Sequence, residues 1–291
     1  MSDLPRQMTK IWPYPPSGAP TTGPLGQSGL QELESRVVEA GGESAGLTAG
    51  PFPPASMRGC AGRRSGCASA STTTNGNTPR PLTVLDLGSG VGRFTPLLAQ
   101  TFGGPVYGVE PAQRMRAVAQ ESARHPSVSY LAGGAEAIPL PDRSCDLVLM
   151  FLVLHHVVDR AAAAAEICRV LRPGGRVLVC GMFGDRLPDL LWHRFFPRAR
   201  LVEQQVFPAL GEVTDLFGLP VLGVERVRVP VTPNLAAYAD RLRLRAVSTF
   251  EHLTEEEIQE GFAALDRAVE AEPTPRPVAM DNDLLVLGPV D

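Results

Sequence analysis

From Pro81 onward the chain is a series of short apolar runs separated by helical segments. The runs are TVLDL (Thr83 to Leu87), PVYGV (Pro105 to Val109), VSYLA (Val128 to Ala132), DLVLMFLVL (Asp146 to Leu154) and RVLVCGM (Arg176 to Met182). They do not alternate apolar with polar residues, which is the pattern of parallel strands buried on both faces. Helices are predicted between them over 92–101, 112–123 and 160–171. The third carries Asp159 as N-cap, the alanines 161–165 and the stop signal Pro173-Gly174. Strand–helix–strand repetition of this kind folds as a doubly wound α/β sheet.

The flanking segments read differently. Gly, Pro, Ser and Thr supply 39 of the first 80 residues, so residues 1–80 are expected to be a low-complexity, disordered extension with one possible helix at 30–40. A flexible tail and the product of a misassigned start both fit that composition. Beyond Met182, residues 183–217 hold 5 of the 11 Phe, in a stretch that fits neither a strand nor a simple helix. Ordinary core over the sheet and a substrate cap are both open readings of it. A strand follows at Val221 to Val231. Two capped helices come next, the first opened by Thr232-Pro233 and the second by the Thr254/Glu257 capping box. Their predicted span is 232–272, and a last strand runs from Asp283 to Pro289.

Charge and cysteine use narrow the function classes. Residues 81–291 carry a net charge of −6, the wrong sign for a nucleic-acid footprint. No apolar run approaches the ~18 residues of a membrane span, and the start MSDLPRQMTK has no apolar signal core, so a cytoplasmic location is expected. Cys60, Cys67, Cys145, Cys168 and Cys180 show no C-x-x-C or Cys/His spacing, and no metal site is expected.

Chemistry concentrates in VLDLGSGVGRF, where Asp86, Gly88, Gly90 and Gly92 form D-x-G-x-G-x-G between a strand and a helix. Glycines there allow a sharp turn and leave no Cβ between the backbone and a ligand at the helix N-terminus. Glu110 ends the next strand, 18 residues beyond Gly92. A carboxylate at that place can accept hydrogen bonds from both hydroxyls of a ribose. Nicotinamide dinucleotide folds space their glycines G-x-G-x-x-G; this run is G-x-G-x-G.

Five blocks, VLDLGSGVGRF, VYGVEP, AEAIPLPD, CDLVLMFLVLHHV and RVLRPGGRVLV, resemble the class I S-adenosylmethionine-dependent methyltransferases. The likeness is strong over 81–182, weak from there to Asp291 and absent from 1–80. It implies a Rossmann-like seven-stranded sheet of order 3-2-1-4-5-7-6, with a helical insertion near the C-terminus. The domain would span 81–291, with 81–182 as cofactor core and 183–217 and 232–272 as cap and helical insertions. The resemblance also implies S-adenosylmethionine contacts from Asp86, Gly88, Ser89, Gly90, Gly92, Glu110 and Phe151, and adenine contacts from Gly134, Ala135 and Glu136. Relatives often carry Asp where this chain has Gly134; that Asp accepts a hydrogen bond from the adenine amino group.

The implied reaction is methyl transfer to a small-molecule acceptor, with S-adenosylhomocysteine released. Such a reaction needs alignment and exclusion of water more than covalent chemistry. A base is required only if the acceptor must lose a proton, and His155, His156 and His193 are the candidates, although packing is the more usual role for histidines in such places. Arg241, Arg243 and Arg245 read as solvated surface or as anion recognition. The rival functions are a binding protein that kept the fold without transfer and a nicotinamide-dependent oxidoreductase. Monomer and homodimer are both open.

Overall fold

The computed structural model describes residues 80–245 and 247–290; the expected helix at 30–40 lies outside them. Seven strands form one sheet: β1 Leu82–Leu87, β2 Gly103–Glu110, β3 Val128–Ala132, β4 Cys145–Phe151, β5 Leu171–Gly181, β6 Val221–Thr232 and β7 Val278–Leu287. Their order is β3-β2-β1-β4-β5-β7-β6. The first five are parallel, and β7 runs antiparallel to both β5 and β6. The helices are α1 Thr95–Phe102, α2 Gln113–Ser122, α3 Arg160–Val170, α4 Pro197–Val206, α5 Leu210–Phe217, α6 Leu235–Arg243 and α7 Glu255–Glu270.

Alternating side chains divide the interior into two layers. On one face, Leu85, Leu87, Val148, Met150, Val177 and Val179 pack with Ile167 of α3 and Val213 of α5. On the other, Val84, Leu147, Leu149, Leu178 and Cys180 pack with Leu98, Ala99 and Phe102 of α1. Both faces of the central strands are buried, which is why their sequences read as unbroken apolar runs.

A third cluster stands apart from the sheet. It joins Trp192 and Phe196 to Phe250 and to Ile258 and Leu265 of α7. Edge contacts order its rings: Phe196 to Phe250 with centroids 5.3 Å apart, Phe196 to Phe262 at 5.2 Å and Trp192 to Phe250 at 5.5 Å. Gly261 permits this, because a Cβ there would collide with the Phe196 ring. The aromatic stretch thus divides: Phe183 and Phe217 belong to the sheet's core, while Trp192, Phe195 and Phe196 belong to the third cluster, in the segment for which a cap is one of the open readings.

Several expected boundaries move. The fourth strand ends at Phe151 rather than Leu154, since Leu152 has φ 55° and Leu154–His156 turn as a 3-10 helix. Apolarity there reflects a buried loop, with Leu154 packed in the core. The first helix of the C-terminal insertion is capped by Asn234, whose side chain accepts from the Ala237 N–H at 2.8 Å; Thr232-Pro233 is not its cap. Thr232 instead ends β6 and donates its hydroxyl to the Asn234 carbonyl at 3.0 Å. The Thr254/Glu257 capping box forms as expected. Residues 183–217 resolve into 3-10 turns followed by α4 and α5.

Candidate active site

The glycine run links the C-terminal end of β1 to α1. Gly88, Gly90 and Gly92 have φ of 75°, 56° and 78°, the left-handed region that side chains disfavour. At Gly88 the restriction is also steric, because a Cβ would run into Val153. The loop is tied to β2 by Gly88 N–H and Ser89 N–H, which both donate to the Val109 carbonyl, at 2.8 and 3.1 Å.

Glu110 completes that tie. One carboxylate oxygen accepts from Gly90 N–H at 3.0 Å and the other from Ala112 N–H at 2.8 Å. Burial pushes its pKa up, opposed by those two backbone donors and by Arg116. Each oxygen keeps a second lone pair, the capacity needed for two ribose hydroxyls.

Asp86 lies on the α1 face, buried, and accepts from the Thr95 hydroxyl at 2.6 Å. Burial raises its pKa to about 6, against the Thr95 bond, with the Glu110 charge adding to the rise. Beside it, the Ser89 hydroxyl is buried and without a hydrogen-bond partner. Phe151 closes the rim at the end of β4, its ring 4.3 Å from that of Phe94.

The 134–136 loop borders the same side. Ala135 is buried, and the Glu136 carboxylate accepts from the N–H groups of Val158 at 3.2 Å and Asp159 at 3.4 Å. Its other oxygen stands 3.4 Å from where a Cβ on Gly134 would be, so a carboxylate covers this position although residue 134 has no side chain. Arg169 holds the loop from below, donating to the carbonyls of Ile138 at 3.0 Å and Leu140 at 2.9 Å while pairing with Glu166 and Asp142.

The three histidines are not brought together. The His155 and His156 rings lie with centroids 3.9 Å apart, tilted by 45°, and His155 meets Phe207 edge-on at 4.8 Å. Burial, with His156 and Arg160 adding to it, depresses His155 to about 3, which makes it a weak proton acceptor. His156 is also lowered by burial. His193 belongs to the cap: its Nε2 lies 2.8 Å from Glu203 Oε2, and the Thr249 hydroxyl donates to Glu203 Oε1 at 3.2 Å.

Thr95, Phe94, Arg169 and Arg93 were not singled out as site residues by the sequence, whereas Arg241 was read with Arg243 and Arg245 as solvated surface or anion recognition. Arg93 lies over the Phe94 ring at 5.5 Å. Arg241 on α6 reaches the Val231 carbonyl at 3.4 Å, and burial together with the nearby Arg93 charge lowers its pKa to about 10. Arg243 pairs with Asp240 and Asp266, and Arg245 with Glu255. Only the position of Arg93, directly after the last loop glycine, was a usable signal.

A separate hollow lined by Arg160, Gln204, Phe207 and Glu212 opens beside α5. Its carboxylates are engaged, Asp185 with Leu210 N–H at 2.8 Å and Glu212 with Ala209 N–H at 3.0 Å. Among the described residues no group of three or more His, Cys, Asp or Glu could hold a metal ion, and no helix is long and apolar enough to cross a membrane.

Residues 85–179 match the model of a methyltransferase domain. An uncharacterized methyltransferase of Mycobacterium tuberculosis is 38% identical over 147 residues, which cover 50% of this chain and 51% of the relative. The ubiquinone/menaquinone biosynthesis C-methyltransferase of Pasteurella multocida is 37% identical over 102 residues, covering 33% of this chain and 38% of the relative. The chain thus spans half the length, or less, of these curated relatives. A crystal structure described as a methyltransferase from an antibiotic biosynthesis pathway of Anabaena variabilis superposes with a TM-score of 0.56 at 20% identity. It covers 73% of this chain and 93% of its own, and it shares the fold.

Proposed function

We propose that the chain, whose residues 85–179 match a methyltransferase domain on a sheet of order β3-β2-β1-β4-β5-β7-β6, transfers a methyl group from S-adenosylmethionine to a small-molecule acceptor, releasing S-adenosylhomocysteine. The observation that carries this reading is Glu110: a buried carboxylate, held by Gly90 N–H of the glycine loop and by Ala112 N–H, with one lone pair left on each oxygen. The residues present fit the cofactor. The unpartnered Ser89 hydroxyl, the open backbone of the loop and the Glu136 carboxylate over Gly134 supply polar groups where a nucleoside and its amino-acid tail need them.

Bound S-adenosylmethionine supplies a methyl already activated on a sulfonium, so the protein's part is placement and exclusion of water. Glu110 would hold the ribose hydroxyls, and Asp86 with Ser89 would face the methionine end. The 134–136 loop, stapled by Arg169, would border the adenine. Phe94 and Phe151 form an apolar rim on the side where an acceptor would enter, and the aromatic cap supplies the cover that keeps water out. The low proton affinity of His155 favours an acceptor that needs no strong base from that loop. An acidic surface and the cap favour a small acceptor over a nucleic acid.

The test is incubation of the protein with methyl-labelled cofactor and a metabolite extract, followed by separation by mass. Label in the low-mass fraction supports the reading. Cofactor binding without label transfer would instead support a non-catalytic binding protein, and label confined to macromolecules would refute the acceptor class.

A further inference from the structure

Asn282 is fully buried in β7, and neither its side-chain N–H2 nor its side-chain oxygen has a hydrogen-bond partner. An amide sealed from water with both ends unbonded is destabilising, and an apolar residue of similar size would fill the place better. Its position explains what such a group could serve. Side chains alternate along a strand, so Leu284, Asn282 and Met280 share one face of β7. Leu284 belongs to the α1-side core, whereas Met280 packs against the aromatic cap. Asn282 therefore sits on the seam between sheet and cap. Pairing of β5 with β7 ends at Gly181 opposite Asp283, which puts Asn282 just past the C-terminal end of β5. That is the rim at which open α/β sheets bind ligands, and Asp86 and Phe94 lie on the same face. The adjacent charge is turned away: Asp283 is consumed by Arg226 at 2.8 Å and by Arg186 at 3.5 Å.

We infer that the Asn282 carboxamide is a recognition point for the methyl acceptor, binding a neutral group that both donates and accepts a hydrogen bond, a hydroxyl or a carboxamide. The inference rests on the methyl-transfer reading for the identity of the ligand as acceptor, but not for the existence of the subsite. A carboxamide presents one donor edge and one acceptor edge side by side, which a hydroxyl or amide satisfies together and a carboxylate or a hydrocarbon cannot. Entry requires the cap to lift from the seam, and the bound group then provides the bonds the protein leaves unmade.

The chain has only four asparagines, Asn75, Asn77, Asn234 and Asn282, so the side-chain amides of full-length protein labelled with 15N-asparagine give a spectrum of four pairs. Asn282→Leu identifies the pair of interest by its disappearance. Phenol, benzamide, benzoate and toluene are titrated separately, with and without S-adenosylhomocysteine. Phenol and benzamide are expected to shift the Asn282 pair, benzoate and toluene to leave it in place. Ligand-observed saturation transfer should then show the two polar probes bound about tenfold more weakly by Asn282→Leu, with toluene unaffected or tighter. An Asn282 pair unmoved by phenol and benzamide, or one showing a persistent cross-peak to a trapped water, would overturn the inference, as would preferential movement by benzoate. If Asn282→Leu does not fold, the pairs lost in Asn75→Ser, Asn77→Ser and Asn234→Ser assign the Asn282 pair by elimination, and the wild-type titration then decides the matter. The readout needs no methyl transfer, so a failure of catalysis leaves it intact.

Discussion

Replacing Asp86 with Asn should stabilise the protein and weaken cofactor binding at the same time. The Asp86 carboxyl is 3% exposed, and burial raises its pKa from an ordinary 3.8 to about 6. A folded-state pKa above the unfolded one means that the fold disfavours the charged form. Stability therefore falls as pH rises from 3.8 to about 6 and stays low above that. A rise of about two pH units, at roughly 1.36 kcal/mol per unit, corresponds to about 3 kcal/mol at neutral pH. Asn reproduces the neutral form and can still accept from the Thr95 hydroxyl. The gain of Asp86→Asn over wild type in urea unfolding should accordingly grow from about 1 kcal/mol at pH 4.5 to about 3 kcal/mol at pH 8. In a domain of this size that is about 6–12 °C in Tm. Calorimetric titration of the same variant should show weaker S-adenosylmethionine binding, because the charge that the fold tolerates poorly would serve the ligand. A stability gain independent of pH between 4.5 and 8, or a variant that binds the cofactor as wild type does, would refute this reasoning.

Three further outcomes follow from the geometry. Gly88→Ala forces a side chain into a left-handed position against Val153, and should cost about 1–3 kcal/mol in chemical denaturation and abolish cofactor binding. Arg169→Ala leaves the Ile138 and Leu140 carbonyls without their donor. It should cost only about 1 kcal/mol, Arg169 being partly exposed, yet weaken cofactor affinity several-fold by loosening the 134–142 loop, as read by calorimetry. His193→Ala strands the buried Glu203 carboxyl with only the Thr249 hydroxyl; a loss of about 3–5 kcal/mol with unchanged cofactor affinity is expected from paired unfolding and binding measurements.

Continuous apolar runs and the glycine spacing made the sheet and the tight loop between β1 and α1 legible, because burial on both faces and a left-handed loop each leave a local trace. The end of β4 was not legible: Leu152 to Leu154 are as apolar as a strand, but they are buried by loop packing rather than by pairing. The cap at Asn234, in place of the expected Thr232-Pro233, depends on where β6 ends, which no local pattern marks. The roles of Arg169, Arg241 and Asn282 arise from contacts or juxtapositions between distant segments, such as the meeting of the β7 face with a cap built from residues 190–269. No local pattern encodes such meetings. Glu136 is intermediate: its importance rests on the absence of a side chain at Gly134, which the sequence displays, and on a carboxylate orientation that only the fold supplies.

If the glycine loop and Glu110 form the cofactor site, S-adenosylmethionine binding depends on the Glu110 carboxylate. Isothermal titration of S-adenosylmethionine into the full-length protein and into Glu110→Ala tests it most directly, with circular dichroism confirming that the variant is folded. One saturable site is expected in the wild type, weakened at least about tenfold in Glu110→Ala, with no heat from NAD in either protein. Equal S-adenosylmethionine affinity in the two proteins, or binding of NAD in place of S-adenosylmethionine, would contradict it.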